Sequence, residues 1–279
     1  MTECTKRNGN CTQASDDGQP VQCVGAWARE KHDFLRRYID ATREVRRKYV
    51  EGGAQGGAAF IDLFAGPGRA RIRDTGEFVD GSPLIALRRA EAPFTKAVLC
   101  DLERENVSAL QARTASFGGR AAIVEGDCNK KIDEIVRAIP TYGLNLALID
   151  PFGVRALHFE VIKRLAAFAR MDILLHFPTN TIKRNLHEPK FHDRVDRFFG
   201  TKAWRGRITE ASDVVQLIDV LREQLRPLGY TDVKLNSMPI KNDMNNVLYH
   251  LVFASKHDKG DAIWQSVTRT DAKGQRSMF

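Results

Sequence analysis

The apolar positions of the chain fall into short runs separated by helical stripes. Ala58-Ala59-Phe60-Ile61-Asp62-Leu63-Phe64-Ala65 is the first run. Its length, with Phe and Ile inside it, predicts a buried strand and not a helix. Similar runs end at Asp101, at Asp127, at Asp150 and at Pro178. The stripes between them place apolar residues at helical spacing, as in Ile132, Ile135, Val136 and Ile139, or Val161, Ile162 and Leu165. Strands alternating with helices predict an α/β fold with a parallel sheet. Ser212 is placed to cap a helix running to Arg226. Two further runs follow, 233–240 and 247–255, joined tightly at Asn242-Asp243, and two strands so joined are antiparallel. The expected sheet is mostly parallel and seven-stranded, with a terminal antiparallel hairpin.

Ahead of the first strand the pattern differs. Residues 1–23 are polar and rich in Gly, Asn, Asp, Thr and Ser, and read as a mobile leader. Residues 24–57 form a basic helix and a glycine linker. In the helix, Trp27, Phe34, Leu35, Tyr38, Ile39, Val45 and Tyr49 make an apolar stripe opposite a face of arginines and lysines. That face serves either as solvated surface or as phosphate contact. Residues 58–279 make the main domain. Within it, 69–80 read as a loop over the glycine turn, a lid or substrate loop. After it, Ser82 is the expected helix cap and Pro83 the first helical residue. Residues from about 179 to 210 are an insert in which Lys and Arg interleave with Phe191, Phe198, Phe199 and Trp204. The insert is either a substrate-recognition element or an amphipathic helix with its aromatics inward.

Composition sharpens the picture. Lys and Arg number 43 against 35 Asp and Glu, a net charge of +8. The isoelectric point near 9.3 makes nucleic acid the first candidate partner. Five cysteines occur without a Cys-x-x-Cys pair, which speaks against zinc and for reduced thiols in a cytoplasmic protein. No apolar run approaches the ~20 residues that span a bilayer, so no membrane role is expected.

The chemistry gathers at the strand ends. After the first strand, Asp62-Leu63-Phe64-Ala65-Gly66-Pro67-Gly68 is a glycine turn of the kind that lets backbone approach a nucleotide-type cofactor. An NAD fingerprint needs a third glycine, where Arg71 stands, and an acid ~20 residues on, where Ala86-Leu87-Arg88 stands. The Asp-x-Phe-x-Gly-x-Gly string of enzymes that use S-adenosyl-L-methionine (SAM) is matched by Asp62, Phe64, Gly66 and Gly68. Asp101 ends the second strand, where a carboxylate accepts from both ribose hydroxyls; Glu103 beside it reads either the same way or as a helix-start acid. Asp127 ends the third and meets the adenine amine, caps the next helix, or does both. Asp150-Pro151-Phe152-Gly153 ends the fourth. There Asp150 can accept hydrogen bonds from an exocyclic base amine, and Phe152 can stack on the base. One proline of the usual base-amine motif is missing. Arg71, Lys183 and Arg184 are the candidate substrate-binding cations. His176, His187 and His192 lack metal spacing and read as structural or surface residues.

The combination resembles the three-Cys-motif partner protein family, a branch of the SAM-dependent methyltransferase-like proteins. The pieces that carry it are Val24-Gly25-Ala26-Trp27 with Lys31-His32, the Asp62–Gly68 turn, Gly81-Ser82-Pro83-Leu84, Asp150-Pro151-Phe152-Gly153, Phe198-Phe199-Gly200 before Trp204, and Leu251–His257. The resemblance implies a Rossmann-like class I methyltransferase fold. It also implies a bacterial or phage origin and a nearby-encoded partner bearing three cysteines, of the radical-SAM class. It supplies no substrate. Two functions stay open: a SAM-dependent methyltransferase acting on a base amine in DNA or RNA, and a non-catalytic or weakly catalytic SAM-fold binding module for that partner.

Overall fold

The computed structural model describes residues 6–7, 10–11, 15–51, 56–89, 91–208, 214–230, 237–241 and 244–269. Chain order runs β1 (Lys6–Arg7), β2 (Asn10–Cys11), β3 (Gln22–Val24), α1 (Trp27–Ala41), α2 (Arg43–Val50) and β4 (Ala58–Asp62). Next come β5 (Arg69–Ile72), β6 (Phe78–Asp80), α3 (Ser82–Leu87), β7 (Lys96–Asp101), α4 (Arg104–Thr114), β8 (Ala121–Glu125) and α5 (Cys128–Arg137). Then follow β9 (Leu144–Ile149), α6 (Phe159–Ala166), β10 (Met171–Phe177), α7 (Thr179–Asn185) and α8 (Pro189–Phe199). The chain closes with α9 (Val214–Leu225), β11 (Ser237–Lys241), β12 (Val247–Ala254) and α10 (Asp258–Thr268).

The main sheet has the order β11-β12-β10-β9-β4-β7-β8. β10, β9, β4, β7 and β8 are parallel, and β12 runs antiparallel to both β10 and β11. This is the Rossmann-like sheet expected from the sequence, five parallel strands and a terminal antiparallel hairpin. The expected cap at Ser212, the turn at Asn242-Asp243 and the head of the strand before Ser237 lie outside the described residues.

Side chains of the central strands alternate between two cores, as strand geometry requires. Ala59, Ile61, Ala147 and Ile149 face one core with α5, α6, α8 and α9. Ala58, Phe60, Leu146 and Leu148 face the other with α1, α3, α4 and α10. Both faces of the sheet are therefore covered by helices, and its carboxyl edge is the place left for chemistry. Among the described residues no helix is long and apolar enough to cross a membrane.

Three local expectations are corrected, and one open reading is decided. The leader is anchored from residue 15 on: Gln22–Val24 pairs in parallel with β5, and Arg113 holds Asp17, Ser15 and the carbonyls of Pro20 and Pro67. Residues 69–80 form the antiparallel hairpin β5–β6, not an irregular loop. The basic helix breaks at Thr42, and Arg46 turns inward to donate to the carbonyls of Ala92 and Ile39. The insert is helical. Phe191, Phe198, Phe199 and Trp204 are buried in the core, so they are not a stacking surface. Along the first helices Arg29 pairs with Glu77, Arg37 with Asp33, Arg43 with Glu91 and Arg47 with Glu44. Charges spent on such pairs favour the solvated-surface reading.

Candidate functional site

The glycine turn is held from behind by two carboxylates. Asp62, fully buried at the end of β4, accepts from the Ser82 hydroxyl at 2.6 Å and from the Phe64 amide at 3.2 Å. Ser82 thus serves Asp62, and Gly81 takes the helix-cap position expected for it. Burial pushes the Asp62 carboxyl up to about 7, against the pull of those two hydrogen bonds. Asp101, only 4% exposed, accepts from the amides of Gly66 (2.8 Å) and Glu103 (2.9 Å) and from Asn106 Nδ2 (2.9 Å). Gly66 and Gly68 sit at φ 60° and 86°, the left-handed region that favours glycine. A Cβ at Gly68 would stand 3.0 Å from Leu110 Cδ1.

Beyond the carboxyl ends of β4, β7, β8 and β9 lies a cavity of about 670 Å³. Its walls include Phe64, Asp101, Glu103, Asn106, Asp127 and Phe152. Asp62, Gly66 and Gly68 shape the turn without lining the cavity. Both Asp101 oxygens are already engaged by the fold. Glu103 is exposed and makes no cap hydrogen bond with its side chain. Asp127 caps α5, accepting from the Asn129 amide at 2.9 Å and from Asn129 Nδ2 at 2.7 Å, and still faces the cavity.

A second cavity of about 380 Å³ opens beside the first, lined by Trp27, Lys31, Asp150, Phe152, His176 and Tyr249 among others. Phe152, 73% exposed, belongs to both cavities. Burial opposes ionisation of Asp150, but Lys31 and His176 outweigh it and hold the carboxyl well below the usual carboxylate range. Lys31 pairs with Oδ2, and His176 Nδ1 lies 2.5 Å from Oδ1. An ionised carboxylate only accepts, so Nδ1 is the donor of that pair. Tyr249 stacks on the His176 ring at 3.7 Å between centroids and 16° between planes.

Other expected residues lie elsewhere. Arg71 is on β5, where its Nε reaches the Gly76 carbonyl at 3.4 Å. Lys183 and Arg184 are on α7 and line neither cavity, although Thr181 of the same helix lines the second. Lys31, His176 and Tyr249 were not expected at the site. The usable signal was His176 near the carboxyl end of an apolar strand, the same signal that singled out Asp150.

No family model and no curated protein matches the chain. Among solved structures, the Legionella pneumophila protein LPL1258 is similar over 88% of this chain and 94% of its own, at 13% identity and a TM-score of 0.46. A precorrin-6y C5,15-methyltransferase from Geobacter metallireducens is similar over 77% of this chain and 87% of its own, at 12% identity and a TM-score of 0.37. At these identities the likeness is one of chain trace, and the reading of the site rests on its own residues.

Proposed function

We propose that this chain is a SAM-dependent methyltransferase acting on an exocyclic amine of a base in DNA or RNA. The observation that carries the reading is the pair of cavities meeting at Phe152, on the carboxyl edge of the sheet. The larger one fits SAM by the chemistry of its walls. Glu103 offers an unspent carboxylate for the ribose diol at the end of β7, and Asp127 offers an acceptor for the adenine amine at the end of β8. Its volume lies within the range of small-molecule sites, about 300–1,000 Å³.

Bound SAM supplies an electrophilic methyl group. In the smaller cavity Asp150 stays ionised, and each oxygen retains a lone pair beyond those taken by Lys31 and His176. That lone pair accepts from the target amine and leaves the nitrogen pair aimed at the methyl carbon. Transfer would form the nitrogen–carbon bond as the carbon–sulfur bond breaks, with its electron pair kept on sulfur. The surplus amine proton passes to solvent. Phe152 stacks on the extruded base. Cys100 and Cys128 are free and buried, which fits a reducing cytoplasm.

The alternative is a binding module for the three-cysteine partner. The engagement of both Asp150 oxygens within the fold favours it. Radiolabelled methyl transfer over DNA and RNA, with and without that partner, decides between them. The enzyme reading predicts incorporation that Asp150→Ala lowers by ~10²-fold or more, with affinity for S-adenosylhomocysteine retained. Copurification with the partner and no methyl incorporation under either condition would leave the binding module.

A further inference from the structure

A third cavity, about 460 Å³, lies against the outer side of α8 and is lined by Asp127, Asn129, Arg155, His158, Arg194 and Arg197 together with Val154. Its arginines come from two places. Arg155 directly follows the strand-end motif, and Arg194 and Arg197 stand three apart on α8, hence on one helix face. That face flanks the stripe of Phe191, Val195, Phe198 and Phe199 that α8 buries. All three guanidinium groups belong to exposed residues. Among the described residues none of the three is in an ion pair, whereas the nearby Arg205 is held by Asp193 and Asp196 and Arg207 by Glu223. Arg197 Nε donates to its own helix, at the Asp193 carbonyl. The one carboxylate in the wall, Asp127, accepts from Asn129. Asn129 is fixed in turn by the Ala156 carbonyl and the His158 amide.

This cavity shares Asp127, Asn129 and Arg155 with the larger site cavity, which shares Phe152 with the smaller one. The three form a continuous rim. Convergent, unspent arginines present planar donors matched to phosphate oxygens. SAM carries no phosphate, so the arginines are not explained by that cofactor. We propose that Arg155, Arg194 and Arg197 bind the phosphodiester backbone of the nucleic-acid acceptor and set its register over the Phe152 pocket. The proposal rests on the nucleic-acid reading above and deepens it by naming the backbone contacts, which the sequence had placed at Arg71, Lys183 and Arg184.

The test is fluorescence anisotropy with labelled single-stranded DNA and RNA oligonucleotides of one sequence, over a series of salt concentrations. The full-length chain is compared with Arg194→Glu/Arg197→Glu, whose side chains lie outside the larger cavity. A charge-matched control is Arg43→Glu/Arg47→Glu, on α2, which leads into the amino end of β4. The double variant at α8 is expected to bind at least ~10-fold more weakly, with a log–log salt slope shallower by about 1.4 for two lost single-strand contacts. Adding Arg155→Glu deepens the loss. The control is expected to change affinity by less than ~3-fold, the screened effect of distant charge. Equal losses in both double variants, or none at α8, overturn the proposal. So does a wild-type chain that binds neither oligonucleotide, or one that binds only inorganic phosphate. Titration of the same proteins with S-adenosylhomocysteine keeps the two readings separate. Loss of that binding in wild type counts against the cofactor and leaves the anisotropy result standing.

Discussion

Asp62→Asn should make the protein more resistant to unfolding at neutral pH, through one identifiable proton. The Asp62 carboxyl is fully buried, and burial raises it from an ordinary 3.8 to about 7. Between those values the folded chain keeps the proton and the unfolded chain loses it. Stability from this group is therefore complete below pH ~4 and is lost as pH rises to about 7, after which it is flat. At about 1.4 kcal/mol per pH unit over about 3 units, the loss is about 4 kcal/mol. That is a large share of the 5–15 kcal/mol typical of a domain. Asparagine can keep both contacts, accepting from the Phe64 amide and donating to Ser82 Oγ, but it does not titrate. The difference in unfolding free energy, variant minus wild type, should climb by about 4 kcal/mol from pH 4 to 7 and then level off. Urea unfolding of both proteins at each pH measures it. Because other groups titrate alike in both proteins, the difference isolates Asp62. A flat difference across that window would refute the reasoning, since it would mean that Asp62 ionises as easily inside the fold as outside it.

Other consequences are checked the same way. Arg113→Ala should release the segment from residue 15 to the turn, raising its amide exchange and costing about 2 kcal/mol, because Arg113 is buried and Asp17 only partly so. Arg113 also holds the Asp17 carboxyl well below the usual range, so wild type should lose this contribution as pH falls below ~4, while the variant shows no such loss. Phe152→Ala removes an exposed ring and should leave unfolding free energy within about 0.5 kcal/mol, yet weaken the nucleic-acid acceptor by ~10-fold or more, one lost stack. An equal fall in stability would place Phe152 in the core instead.

The parallel half of the fold was legible because each central strand is an apolar run closed by an acid or a turn. Asp62, Asp101, Asp127 and Asp150 mark four strand ends in the sequence and four neighbouring strand ends in space. The small sheet was harder. Arg69-Ala70-Arg71-Ile72 alternates between half-buried and buried positions, a period-2 signal only four residues long. Its partner, Gln22–Val24, lies far away in the chain and is fixed by β5 and Arg113, not by its own propensity. In the insert, Phe191, Val195, Phe198 and Phe199 carry helical spacing, and their burial decided between two readings that composition left open. The roles of Asp62 and Asp101 were half legible. Sequence placed them at the cofactor turn, but only the structure shows that both Asp101 oxygens already accept from the fold and that, among the described residues, the exposed Glu103 carboxylate beside it caps no helix. His176 was missed because its meaning depends on pairing β10 with β9, which brings its ring to Asp150.

Calorimetric titration with SAM tests the central claim most directly, using wild type beside Glu103→Ala. The account predicts one-to-one binding by wild type and ~10–100-fold weaker binding by the variant, the loss of charge-assisted hydrogen bonds worth about 1.5–3 kcal/mol. Wild type that releases no heat with SAM or with S-adenosylhomocysteine would contradict it, and the fold would then stand as a binding module.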